Sequence, residues 1–330
     1  MKRIDHATIY FSPRQDLYHA SYLLSAFASL ERNGTRIGIK FEPSVNPVVP
    51  QVRLDGILYA IDLHDSNGRY CLKSLAACDF YAKRSCYVPK IPPEFSHKVI
   101  PFGLNYGCRS NRSSFFLGRA LAVHPGNLKS LVFGPYIHLP TPEQVEYPAD
   151  RAAETTILFQ TRVWPEDELG EGDTLEGVNG VRASLIRELR KAFGKRFQGG
   201  LIPTQFALKM FPDLVTASPH RRRDYAAFAR KPAIAICSSG LHKSHPFKLA
   251  EYLASSKAIV GEPLVSQLPV PLDEGRNYIS FQTVDACVAA CEMLLSNPTR
   301  REEMRHASWN YYLENVRYDK RLQLLASLRN

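Results

Sequence analysis

The chain has 330 residues, 45% of them hydrophobic, which is more than one compact core usually takes and enough to fill two, so a globular protein of two domains is expected. Its formal charge of +10 is shared equally between residues 1–150 and 151–330; without a dedicated basic arm, nucleic acid is not the leading partner, and phosphorylated small molecules or an anionic membrane surface stay open. The opening MKRIDHATIYFS is polar where a secretion signal is apolar, no run reaches the roughly 20 apolar residues of a membrane span, and the seven cysteines form no CxxC pair, so a cytoplasmic protein with reduced, mostly buried thiols is expected.

The first elements read as a strand ATIYF, a loop SPRQD and an apolar-periodic helix from about Leu17 to Leu30, which Asn33-Gly34 ends before a strand RIGIKF. Further strands are GILYAID, ending at Asp62, and KVIPF, ending at Phe102, with a helix around Leu72 to Tyr81 between them. Alternation of this kind predicts a parallel sheet covered on both faces. Phe133 to Ala153 carries four prolines and no helical period, and reads as a linker. The pattern then restarts with the strand TTILFQTRV, an acidic Gly-rich insert, a helix from about Asn179 to Phe193, and strands at RFQGGLI and AIAIC. A helix from near Pro246, strands AIVGE and YISFQ, helices at about Asp285 to Leu295 and Thr299 to Asn315, and a last helix DKRLQLLASLRN complete it. The expected domains are residues 1–148 and 149–330, both α/β.

The segment HPFKLAEYLASSKAIVGEP, from His245, carries the most chemistry. Ser238-Ser239-Gly240-Leu241 leaves a strand at its carboxyl end, where open α/β proteins place ligands. The following helix, with Ser244 or His245 as its cap, offers free N–H groups and a positive dipole end to an anion. Lys248 lies in the first turn and Glu251 one turn on, with β-carbons about 5–6 Å apart. An ammonium suits phosphate oxygens, and a carboxylate accepts two bonds from vicinal hydroxyls, so a nucleotide diphosphate would satisfy both. The same spacing also describes a plain surface ion pair, and His245 by itself reads as a cap or a satisfied contact.

PFKLAEYLASSKAIVGEP, LDEGRNYISFQ and TVDACVAACEMLLSNPTRREEMRHAS together resemble the carboxyl-terminal domain of GT-B glycosyltransferases over about 70 residues from Ser238, most of all the retaining families. The resemblance implies two Rossmann-like domains with parallel sheets facing a central cleft. It also implies a nucleotide-diphosphate sugar donor in the second domain, a glycan or lipid-linked acceptor against the first, and no bound metal or other cofactor. It assigns the ribose to Glu251, and Lys248 matches the motif's lysine. Arg162, in ILFQTRVW, matches an arginine that such families carry after the first strand of the donor domain; the companion lysine is replaced by Glu166, and a strand-end arginine paired with the acidic insert is the alternative. Retaining members have a second glutamate eight residues before the first; here that position is Lys243, which leaves retention or inversion open.

In the first domain, strand ends gather Ser12, Arg14 and Asp16, then Asp62, His64 and Asp65, then Asn105. Asp62 or Asp65 is the candidate base for an acceptor hydroxyl, with a loop-capping role as the alternative. Asp62, His64, Asp65 and Asn67 lack the distant partner a metal site needs. Lys83 and Arg84 read as an acceptor contact or an exposed helix end, and HRRRD, from His220 to Asp224, as solvated surface or a membrane-headgroup contact. The expected function is glycosyl transfer in polysaccharide or glycoconjugate synthesis, with a peripheral contact to the inner face of the membrane. A non-catalytic nucleotide- or glycan-binding relative and a nucleic-acid-binding α/β protein are the alternatives.

Overall fold

The computed structural model describes residues 3–110, 135–170 and 172–328, and the chain falls into two compact units. Residues 133–134 of the expected linker, Glu171 of the acidic insert and the last two residues lie outside the described residues.

The first unit holds the chain up to Glu143, Ser266–Pro271 and the segment from Leu313. Its sheet has the order β2-β1-β3-β4-β5-β6, formed by β1 (His6–Phe11), β2 (Arg36–Phe41), β3 (Gln51–Leu54), β4 (Ile57–Asp62), β5 (Phe80–Lys83) and β6 (Val99–Pro101). Between β1 and β2 runs α1 (Leu17–Arg32). Asp16 caps it by accepting from the amides of Tyr18 and His19, and Gly34, at φ 87°, ends it in the left-handed region open to glycine. Two differences from the expected layout have local causes. The sheet is not wholly parallel, because β3 pairs antiparallel with β1 and β4. Asp55 at φ 44° and Gly56 at φ 92° turn the chain there, and Asp-Gly between alternating apolar residues is a hairpin signal that was legible in VRLDGILYA. The helix expected to reach Tyr81 is α2 (Leu72–Ala77), and the residues after it extend into β5. Lys83 and Arg84 therefore close a central strand instead of an exposed helix end, and are 0% and 3% exposed.

The last helix, α9 (Tyr318–Ser327), was expected to close the second domain and instead belongs to the first unit. Arg321, buried among apolar neighbours, donates to the carbonyls of Phe102 at 2.7 Å and Leu104 at 2.9 Å, and Tyr22 of α1 donates to the Val316 carbonyl. A cation on an otherwise amphipathic helix gives no sign in sequence of which carbonyls it will meet.

The second unit holds Gln144–Val265 and Leu272–Tyr312 around a wholly parallel sheet of order β11-β10-β9-β7-β8. The strands are β7 (Glu154–Thr161), β8 (Phe197–Leu201), β9 (Pro232–Cys237), β10 (Ala258–Gly261) and β11 (Tyr278–Ser280). The helices are α3 (Val181–Phe193), α4 (Gln205–Met210), α5 (Arg222–Ala229), α6 (Phe247–Ala254), α7 (Val284–Ser296) and α8 (Pro298–Tyr311). Helices α4 and α5 went unread; α5 hides behind the basic run at its start. The core of this unit is built from β7, β9 and β10 against α3 and α7, with Ile157, Phe159, Ile234, Ile236, Leu185 and Leu189 all at most 1% exposed. Every cysteine is a free thiol, and all but Cys71 are buried.

Candidate functional site

In the second unit the chain leaves β7 for α3 and β8, returns on the other side of β7 as β9, and so places the carboxyl ends of β7 and β9 at a topological switch point. The loop after β9 is held there by groups from three other segments. The Ser239 amide donates to Glu262 Oε2 at 2.6 Å, the His242 amide donates to Asp173 Oδ2 at 2.7 Å, and Arg182 donates to the carbonyls of Ser239 at 2.6 Å and Arg162 at 2.7 Å. The loop tip is strained, with His242 at φ 57° and Lys243 at φ 53°, a conformation costing about 1–3 kcal/mol per non-glycine residue. A cavity of about 630 Å³ opens beside it, lined by Asp173, Arg182, Ser239, Lys243, Glu262 and Thr283 among others. Burial lowers the pKa of Arg182 to about 10, against the pull of Glu262 and Asp173. Arg182 was missed in the sequence, although it lies on the apolar stripe of α3 with Leu185, Ile186 and Leu189, where a charge needs a reason.

Helix α6 begins at Phe247 with Pro246 as its N-cap and no side-chain cap bond. This corrects the expectation for Ser244 and His245, which are 3% and 2% exposed and precede the cap; the Ser244 carbonyl accepts from the Gly240 amide at 3.0 Å, closing the loop on itself. Lys248 and Glu251 are not a plain surface pair. The Lys248 ammonium donates to the Gln160 carbonyl at the end of β7 and lies 4.5 Å from the centre of the Tyr225 ring on α5. Desolvation lowers its pKa to about 7, with Glu251 pulling it up and Arg222 pushing it further down. Glu251, 7% exposed, accepts from Arg222 Nη2 through Oε1 at 2.7 Å. The hydroxyls of Tyr225 and Tyr252, 3.0 Å apart, tie α5 to α6 beside these charges. The run HRRRD is thus divided: His220, Arg221 and Arg223 are exposed, whereas Arg222 turns in to the site.

Arg162 is exposed after β7, with its guanidinium 5.4 Å from the centre of the Trp164 ring. In the first unit Asp62 and Asp65 behave differently from each other. Asp62 is 1% exposed, and its carboxylate accepts from Lys83 Nζ at 2.8 Å, the Tyr81 hydroxyl at 2.7 Å and the His64 amide at 2.9 Å. It is an internal partner for the buried Lys83 ammonium. Asp65, with its side chain 48% exposed, is paired with Arg84, whose pKa burial lowers to about 10. His64 Nδ1 accepts from the Ser66 amide at 2.9 Å, and among the described residues no three His, Cys, Asp or Glu side chains assemble as a ligand set for a metal.

The second unit is an α/β domain with charged groups near the switch point of its parallel sheet, where such folds place ligands, and together with the α/β first unit it gives the make-up expected of a GT-B protein. Residues 185–327, less than half of the chain, match the protein family described as glycosyl transferase-like; most of the matched residues lie in the second unit, and 266–271 and 313–327 lie in the first. No curated protein matches the sequence. Similar solved structures include the C-terminal domain of the glycosyl transferase group 1 family protein LpcC from Francisella tularensis, at 14% identity over 51% of this chain and 93% of that one, with a TM-score of 0.34. An α1,3-fucosyltransferase with GDP is 9% identical over 100% and 92%, with a TM-score of 0.44. UDP-GlcNAc 2-epimerase from Neisseria meningitidis bound to UDP-GlcNAc is 14% identical over 81% and 69%, with a TM-score of 0.39. At these scores the likenesses carry no argument about chemistry.

Proposed function

We infer that the protein is a glycosyltransferase that takes a nucleotide-diphosphate sugar in its second unit and passes the sugar to a hydroxyl acceptor. The observation that carries this reading is the inward pair on α6: Lys248 and Glu251, one turn apart at the carboxyl end of a parallel sheet, within the segment matched to the glycosyl transferase-like family. Lys248 faces the diphosphate and Glu251 accepts from the ribose hydroxyls. As the bond from the sugar's anomeric carbon to phosphate oxygen breaks, the electron pair leaves with the nucleoside diphosphate, and Lys248, Arg162 and the positive end of α6 stabilise that charge. The acceptor oxygen bonds to the anomeric carbon and gives up its proton, with Asp65 the more accessible of the two carboxylates proposed for the first unit. Lys243, in place of a second glutamate, leaves the stereochemistry to be read from the product.

The acceptor is proposed to be a glycan or lipid-linked saccharide. Support for a membrane contact is limited to the exposed His220, Arg221 and Arg223 and the net charge of +10; no described helix is long and apolar enough to cross a membrane. Flotation with anionic vesicles at low salt tests that contact, and absence of binding removes it. The donor site is tested by thermal denaturation with UDP, GDP and their sugars. A ligand at 100 times its Kd raises stability by about 2.7 kcal/mol, a gain that Lys248→Ala and Glu251→Ala are expected to abolish. Variants that respond like the parent would move the site elsewhere.

A further inference from the structure

The exposed members of the basic run HRRRD were offered to a membrane surface, whereas its Arg222 is built into the candidate donor site. Arg222 opens α5, and the side chain spans to α6, where Nη2 donates to Glu251 Oε1 at 2.7 Å. The pair is largely shielded, the side chains being 25% and 9% exposed, so it is not one of the freely solvated surface pairs that contribute little. Its two supports are rigidly joined: Tyr225, one turn after Arg222, meets Tyr252, the residue after Glu251, hydroxyl to hydroxyl at 3.0 Å. Only Oε1 of Glu251 has a described partner; no described group bonds Oε2. A carboxylate fixed through one oxygen by a planar guanidinium, with no described partner on the other, has a set orientation, which is what an acceptor of vicinal hydroxyls needs.

We propose that Arg222 is a positioning residue of the donor site, which holds the Glu251 carboxylate toward the ribose and thereby sets the preference for ribonucleotides over 2′-deoxyribonucleotides. This deepens the reading of Glu251 as the ribose acceptor and rests on it. The role differs from that of Lys248: loss of Lys248 should weaken any diphosphate, whereas loss of Arg222 should act on the sugar hydroxyls. Lys248 also feels Arg222, which helps to push its pKa down, so removing Arg222 leaves the lysine at least as readily charged for phosphate.

The test is calorimetric titration of UDP, dUDP, GDP and dGDP into the full chain and into Arg222→Met, Arg222→Gln and Glu251→Gln. In the parent, the better-bound ribonucleotide is expected to outbind its deoxy partner by roughly 10- to 100-fold, the value of one or two hydrogen bonds to a charged group. Glu251→Gln and Arg222→Met should each bring that ratio close to 1 while diphosphate binding stays measurable, and the double variant should lose no further discrimination. Should Arg222→Met fail to fold, the same ratio is read from Arg222→Gln. A parent-like ratio in the Arg222 variants overturns the inference and leaves the donor site standing. A parent that binds diphosphates without preferring ribose also overturns it. A parent that binds neither UDP nor GDP defeats the transferase reading itself.

Discussion

The two units end their sheets in opposite ways. In the first, the carboxyl ends of β4 and β5 bring Asp62, Lys83, Tyr81 and Arg84 together, and the charges satisfy one another inside the protein: Lys83 is 0% exposed with Asp62 at 2.8 Å. In the second, a cavity of about 630 Å³ lies beside the loop after β9, and on α6, outside the lining of that cavity, one Glu251 oxygen is bonded and Lys248 is lodged against a carbonyl and an aromatic ring. The same architecture can therefore spend its strand-end charges on holding itself together or keep them for a ligand. What separates the two outcomes is whether both oxygens of a carboxylate have described partners, as in Asp62, or only one, as in Glu251, and a list of strand-end residues does not contain that information.

Breaking this contrast should produce its largest effect in the first unit. Asp62→Asn strands a buried ammonium and is expected to cost about 3–5 kcal/mol, visible as a fall in melting temperature on the order of 10 °C. If the charge network there is internal support, the protection given by UDP or GDP at the second unit should persist wherever the variant is folded. A variant of parental stability that loses turnover would instead mark Asp62 as a base.

A smaller and sharper effect is expected from pH. Lys248 has a folded pKa near 7, below the 10.5 of an ordinary lysine, so between those values the unfolded chain binds a proton that the native site does not, and this group's contribution makes the protein more stable as pH rises from about 7 to 10.5. Diphosphate binding has the opposite dependence, because the ammonium form is the one that meets phosphate. Affinity should fall up to tenfold per pH unit above 7, with a proton taken up on binding, as measured by titration at pH 8 in buffers of different ionisation enthalpy. Lys248→Met should flatten both profiles; unchanged profiles would remove the lysine from the phosphate site.

The smallest structural effect belongs to Arg162. Its side chain is exposed against Trp164, so Arg162→Ala should change stability by no more than about 0.5 kcal/mol. If it meets the leaving diphosphate, kcat should fall by more than tenfold without a matching loss of affinity for the intact nucleotide sugar, since the charge it answers grows only as the diphosphate departs. Equal losses in both would make it a simple binding residue.

Much of this protein follows from local pattern. The alternation of strands and helices, the end of α1 at Asn33-Gly34, and α6 with Lys248 and Glu251 one turn apart are consequences of periodicity, capping and helix geometry, each confined to a few consecutive residues. The resemblance around Lys248 is also local, and it falls inside the matched segment 185–327. Long-range pairing was decided by tertiary structure alone. Arg222 reaches Glu251 across 29 residues, Lys83 reaches Asp62 across 21, and Arg321 reaches the Phe102 carbonyl across 219. The energy of a charged group depends on what surrounds it once water has been displaced, so the same Arg or Asp is a solvated side chain, an anchor or a ligand contact according to partners that only the folded chain brings within 3 Å.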